Sequence, residues 1–123
     1  MTEPVTTSLE LSKRLYELGV RKESYFIWRR ETEAEGWGLL QSTYMPPGRA
    51  YHAYQADELW KVLPETDKHK NSLYAHKYGK GGTVATYYPP HTGVGPNLAE
   101  ALGLLLEWMI EKELITVEEV NKP

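Results

Sequence analysis

The sequence predicts an α+β domain: one antiparallel sheet of about four strands, made of two β-hairpins, with helices packed on one face, in the order α-β-β-α-β-β-α. Three observations predict it. Stretches with apolar residues at helical spacing stand near both ends and in the middle of the chain. Between them lie two pairs of short aromatic or alternating stretches, each pair joined by a turn-forming segment. The 123 residues, 41% hydrophobic and 25% charged, suit one domain, 1–123, with one core.

Residues 1–6 read as a frayed terminus. Thr7 and Glu10 have capping-box spacing, and Leu11, Leu15 and Leu18 follow at helical spacing. Gly19 stands where a left-handed residue closes a helix, and Val20 can fold back on Leu15. A helix over 8–18 follows, its outward face carrying Lys13, Arg14 and Glu17 as a solvated surface. Ser24 to Arg30 is aromatic and β-branched, with apolar residues on both faces at first, which predicts a central strand. An acidic turn (Glu31, Glu33, Glu35) leads to a return strand over Trp37–Tyr44, stopped by Pro46, Pro47 and Gly48.

Arg49 to Tyr54 reads only as a short aromatic stretch. Gln55 to Leu63 predicts a helix with Ala56, Leu59, Trp60 and Leu63 on one face, ended by Pro64. A polar loop follows, with Asp67, Lys68, His69 and Lys70. Leu73 to Tyr78 alternates, with Leu73, Ala75 and Lys77 on one face and Tyr74, His76 and Tyr78 on the other. After Gly79-Lys80-Gly81-Gly82 the chain returns over Thr83–Tyr88. His91 to Pro96 reads as a Gly/Pro loop.

The stretch Asn97–Lys112 organises the rest. Asn97 with Glu100 marks a helix start. Leu98, Ala101, Leu102, Leu105 and Met109 share a face, and Leu104, Leu106, Trp108 and Ile110 widen it almost all round. Glu100, Gly103, Glu107 and Glu111 leave a narrow polar stripe. A helix this apolar is a buried element against which others pack. Thr116 with Glu119 predicts a last short turn of helix.

Composition narrows the function. A net charge of −3 gives no global basic field to draw in nucleic acid. The absence of cysteine excludes disulfides, thiolate metal sites and cysteine nucleophiles, and fits a reducing cytoplasm. Met1-Thr2-Glu3-Pro4 has neither a basic n-region nor an apolar h-region, so no signal peptide is expected. No apolar run is long enough to span a bilayer, so no membrane partner is expected.

No catalytic or metal-ligating set is legible. Gly79-Lys80-Gly81-Gly82-Thr83 is a hairpin turn, because a phosphate loop needs Lys followed by Ser or Thr at a helix start. His52, His69, His76 and His91 form no HxH or HxxxH pair. None of Ser8, Ser12, Ser24, Ser42 and Ser72 sits in a GxSxG elbow. The chain reads as non-enzymatic, with no catalytic residues, no metal and no cofactor.

Ser8–Val20 runs into Ser24-Tyr25-Phe26-Ile27-Trp28. Then come Tyr54–Pro64, and Ala99–Gly103 with Leu106–Glu111. This order of cues resembles a loose group of small uncharacterised proteins encoded in bacteriophages and prophages. The resemblance covers most of the chain and rests on caps, strand aromatics and core leucines. It implies a phage accessory protein in the host cytoplasm and brings no functional residues with it.

Two surfaces are candidates. Lys68, His69, Lys70, Lys77 and Lys80 bring positive charge beside Tyr74, His76 and Tyr78, on which a nucleotide or single-stranded nucleic acid could stack. Trp37, between Gly36 and Gly38 at a hairpin tip, is the tryptophan expected at the surface, as the anchor of a partner interface. The favoured expectation is a binding protein for a host or phage protein, or one that assembles into a homo-oligomer. The alternative is nucleotide or nucleic-acid binding by hairpin 73–88.

Overall fold

The computed structural model describes residues 5–30, 36–41, 50–64, 73–78, 82–86 and 92–122, with the backbone alone at 74, 76–78, 82 and 92. Its elements are α1 (Leu9–Leu18), β1 (Phe26–Arg29), β2 (Gly38–Gln41), β3 (Ala50–Ala53), α2 (Ala56–Val62), β4 (Tyr74–Tyr78), β5 (Gly82–Thr86), β6 (Thr92–Gly95), α3 (Leu98–Glu111) and α4 (Val117–Val120). The α+β class stands. The single four-stranded sheet does not. The strands form two three-stranded antiparallel sheets, ordered β2-β1-β3 and β4-β5-β6.

Two strands account for the difference. β3 comes from the short aromatic stretch and pairs with β1, so β1 is central, as its two-faced apolar pattern predicts. β6 comes from the predicted loop. Its glycines are there for packing, because Gly93 and Gly95 stand opposite Ala85 and Thr83 and press on α3. A Cβ at Gly93 would lie 2.2 Å from the Ala101 carbonyl oxygen and 2.7 Å from the Leu105 nitrogen. A side chain there would hold β6 off the helix.

α3 is the core element. Asn97 Oδ1 accepts the Glu100 N–H at 2.9 Å, and Ala99, Ala101, Leu102, Gly103, Leu105, Leu106 and Met109 are buried. One apolar cluster joins Ala101, Leu102, Leu105, Leu106 and Met109 to Leu11, Leu15 and Val20, to Tyr54, Leu59 and Leu63, and to Ala85, Ile115 and Val120. Each large side chain buried there contributes about 1.5–3 kcal/mol.

From Glu100 to Glu107 the polar stripe of α3 is not a solvated face, although Glu111 at its end is exposed. α1 lies along it. A Cβ at Gly103 would meet Leu11 Cδ2 at 2.7 Å and Thr7 Cγ2 at 2.9 Å. One turn to one side, the Glu100 carboxylate accepts the Ser8 N–H and hydroxyl, each at 2.8 Å. One turn to the other, Glu107 takes Arg14 Nε at 2.6 Å and Nη2 at 3.2 Å. Arg14, expected in solvent, is therefore tied to α3.

The N-cap of α1 is Ser8, whose hydroxyl oxygen accepts the Leu11 N–H at 3.2 Å. Thr7, expected as the cap, is fully buried instead. Its Oγ1 accepts the Tyr54 N–H at 3.1 Å and bonds Ser12 Oγ at 2.8 Å, while its own N–H reaches the Tyr54 carbonyl at 2.8 Å. α1 ends as predicted. Gly19 has φ 108°, its N–H reaches the Tyr16 carbonyl, and the Val20 N–H reaches the Leu15 carbonyl. α4, capped by Thr116 as expected, closes over that end. Asn121 accepts the Arg21 N–H at 2.7 Å and donates to the Gly19 carbonyl at 3.0 Å.

Candidate functional site

The first sheet brings together side chains that are far apart in sequence. Antiparallel pairing sets Leu39, Trp28 and Tyr51 in one row across β2, β1 and β3. Trp28 Nε1 donates to the Thr7 carbonyl at 3.0 Å, which fixes that ring against the N-terminal segment. Trp37 enters β2 beside this row. Trp28, Trp37, Gly38 and Leu39, with Val5, Thr6 and Asn97, line a cleft of about 560 Å³. Its walls are mixed: Val5, Trp28, Trp37 and Leu39 are apolar, and Thr6 and Asn97 are polar.

Behind the cleft runs a contiguous array of rings and cations. The Trp37 and Tyr51 ring centroids are 5.5 Å apart, and Tyr51 meets Tyr16 edge-on at 5.3 Å. Lys13 Nζ lies 5.1 Å from the Trp37 centroid and 5.9 Å from that of Tyr51. Arg30 Cζ is 4.9 Å from the Trp37 centroid, and Arg21 Cζ is 3.5 Å from that of Tyr16. The array draws on α1 and β3, on Arg21 after α1, and on Arg30 and Trp37, the residues next after β1 and next before β2. Each cation–ring contact is worth about 0.5–1 kcal/mol at a wet surface.

Trp37 is therefore not the free tip residue expected from its glycine neighbours. It is half-buried, because Tyr51, the Lys13 ammonium and the Arg30 guanidinium come up to its ring. Lys13, expected as a solvated residue, belongs to this array. Trp60 also departs from expectation. By spacing it shares a helical face with Leu59 and Leu63, but it is 41% exposed, while Leu59 and Leu63 are buried.

Of the other candidate residues, Lys68, His69, Lys70 and Lys80 lie outside the described residues. Tyr74, His76, Lys77 and Tyr78 are on β4, in register with Thr86, Val84, Thr83 and Gly82. Positions 74, 76 and 78 thus alternate with the Ala75–Ala85–Gly93 row that abuts α3. Tyr51, Tyr16, Lys13, Arg30, Trp28 and Leu39 are members of the array and cleft that sequence reading misses. Tyr51 sits in a stretch too short to read as a strand. The rest become neighbours only when β1 pairs on both sides.

Among the described residues, Ser24 and His52 come within hydrogen-bond reach, with Oγ 2.8 Å from Nδ1. The Ser24 hydroxyl donates to the Phe26 carbonyl at 2.6 Å. With its one proton committed there, Ser24 faces His52 as an acceptor, the reverse of an activated nucleophile. Burial holds His52 below its usual pKa of 6.5, and the stacked Tyr54 phenol, pushed up by burial, donates to the Lys22 carbonyl at 2.7 Å. These contacts are structural.

A second groove, of about 510 Å³, runs between α2, α4 and residues 22–23. Lys22, Lys61 and Lys122 line it together with Glu23, Glu58 and Glu119, so it carries no net charge to select a ligand. Glu58 is already engaged by the Tyr25 and Gln55 N–H groups at 2.9 and 2.8 Å. Among the described residues no group of three His, Asp or Glu could hold a metal ion, and no helix is long and apolar enough to cross a membrane. No family model, no curated protein and no solved structure matches this chain.

Proposed function

We propose that this chain is a non-enzymatic binding protein of phage type, acting in the host cytoplasm, that grips a host or phage protein on the face built around Trp37. The observation that carries the reading is the Trp28–Trp37–Leu39 cleft backed by Tyr51, Tyr16, Lys13, Arg30 and Arg21. Tryptophan, tyrosine and arginine are the residue types that dominate binding energy at protein interfaces, and they do so where a pocket lets a partner side chain be desolvated. Rings already held by neighbours lose little entropy on binding.

The experiment is light scattering on protein purified from host cells without nuclease, with absorbance read at 260 and 280 nm. The expected result is a mass above that of one chain, with no excess at 260 nm, falling to a single chain in Trp37→Ala. A complex that survives Trp37→Ala contradicts the reading. Co-purifying 260 nm material would promote the second reading, a nucleotide or single strand held by hairpin 73–88. What favours that reading is the register that sets positions 74, 76 and 78 off the α3-facing row.

A further inference from the structure

We infer that the cleft takes a proline-bearing extended segment of the partner protein, with prolyl rings laid on the Trp28 and Trp37 indoles and a carbonyl of that segment accepting a hydrogen bond from Asn97 Nδ2. This rests on the protein-binding reading and names the chemistry of the partner.

The polar atoms of the cleft show what an occupant must bring. Trp28 Nε1 and the Thr6 hydroxyl both donate to the Thr7 carbonyl, at 3.0 and 3.2 Å. Asn97 Oδ1 accepts the Glu100 N–H at 2.9 Å, as the cap of α3. That bond fixes which way round the Asn97 amide lies. Nδ2 is the end left over, and it has no hydrogen-bond partner among the described residues. An amide nitrogen of this kind only donates, so the occupant supplies an acceptor.

Charge selects the acceptor. Glu100 lies one helical turn beyond Asn97, and its carboxylate is held by the Ser8 N–H and hydroxyl, two residues along the chain from Thr6. A carboxylate or phosphate brought to Asn97 meets that charge, and a neutral carbonyl does not. The cations Lys13 and Arg30 are engaged by the Trp37 ring, 5.1 and 4.9 Å from its centroid.

The walls select the group that carries the carbonyl. Trp28 and Trp37 line one cleft of about 560 Å³. Proline-rich segments dock in aromatic-lined grooves of this make. In the extended polyproline conformation the carbonyls carry no internal hydrogen bond and are free to accept. A prolyl residue also has no N–H to be left unpaired on burial, and its fixed φ leaves little freedom to lose.

The test uses fluorescein-labelled nonapeptides, read by anisotropy. One repeats Pro-Leu-Pro. A second has alanine in place of each proline. A labelled oligothymidylate is the third probe. The proline peptide should bind, and the alanine peptide about tenfold more weakly. Trp37→Ala should weaken the proline peptide by about tenfold or more. Asn97→Ser and Asn97→Asp keep a capping oxygen and remove the donor. Both should bind the proline peptide about fivefold to tenfold more weakly while their urea midpoints stay at the wild-type value. Asn97→Ala, which loses cap and donor together, should lower the midpoint as well.

Equal, Trp37-dependent binding of both peptides overturns the prolyl assignment and leaves the protein-binding reading standing. Wild-type binding by Asn97→Ser and Asn97→Asp overturns the hydrogen bond on which the inference turns. Binding that ignores Trp37→Ala overturns the site and the reading together. Trp37-dependent capture of the oligothymidylate alone overturns both in favour of a nucleic-acid ligand. Failure of every probe overturns the inference alone, since light scattering tests the reading separately.

Discussion

Glu100 and Glu107 show what a single side chain can do that its position on a helical wheel does not reveal. On α3 they belong to a polar stripe, and a polar stripe ordinarily meets water. Here Gly103 lies between them and admits α1, so the two carboxylates become its fastenings, one on Ser8 and one on Arg14. His52 carries a different consequence. Burial depresses its folded pKa below the usual 6.5, so the neutral ring is the form the fold prefers. A group depressed in this way contributes stability that is complete above its unfolded pKa and is lost as pH falls through the folded one. Urea midpoints should therefore drop from pH 7 to pH 5, and His52→Gln should flatten that part of the profile. An equal drop in the variant would assign the pH dependence to other groups. The tryptophans make the same point as the glutamates. Trp60 looks inward by spacing and Trp37 outward by its glycine neighbours, yet Trp60 is exposed and Trp37 has rings and cations around it.

At the scale of elements, what is local is legible and what is tertiary is not. Asn97, Thr116, Gly19 and the apolar run of α3 act within one or two turns, so the starts of α3 and α4 and the end of α1 can be read from the sequence. β1 is readable as central because both its faces are apolar. β6 is not readable, because its strand character comes from α3. Glycine in isolation signals a turn, and only the approach of Ala101 and Leu105 explains Gly93. Gly93→Ala should accordingly lower stability by about 3 kcal/mol in urea unfolding, at the upper end for overpacking, since helix backbone cannot move aside as a side chain can. Gly36→Ala, with nothing within 4 Å, should change it by less than about 0.5 kcal/mol. A mild effect at Gly93 would mean that β6 does not press on α3.

At the scale of the whole molecule, α3 is the shared floor. β5, β6, α1 and α2 all pack on it, and one apolar cluster runs through them. The first sheet joins this body through α1 and the N-terminal segment, which leaves the row Leu39–Trp28–Tyr51 to form a wall of the cleft. The candidate site is thus an assembly property. It draws on α1, β1, β2 and β3, and no two neighbouring residues announce it. Only Trp37 stands out in the sequence, and it does so for its residue type and flanking glycines.

The claim that this face is where a partner binds is tested most directly by ¹H–¹⁵N correlation spectra of the labelled chain, recorded alone and in the complex that it forms in host cells. The account predicts shifts concentrated in the amides of Trp37 to Gln41 and in the indole N–H signals of Trp28 and Trp37, with those of β4 to β6 unmoved. Shifts centred on Tyr74 to Thr86 instead, with Trp37 silent, would contradict it.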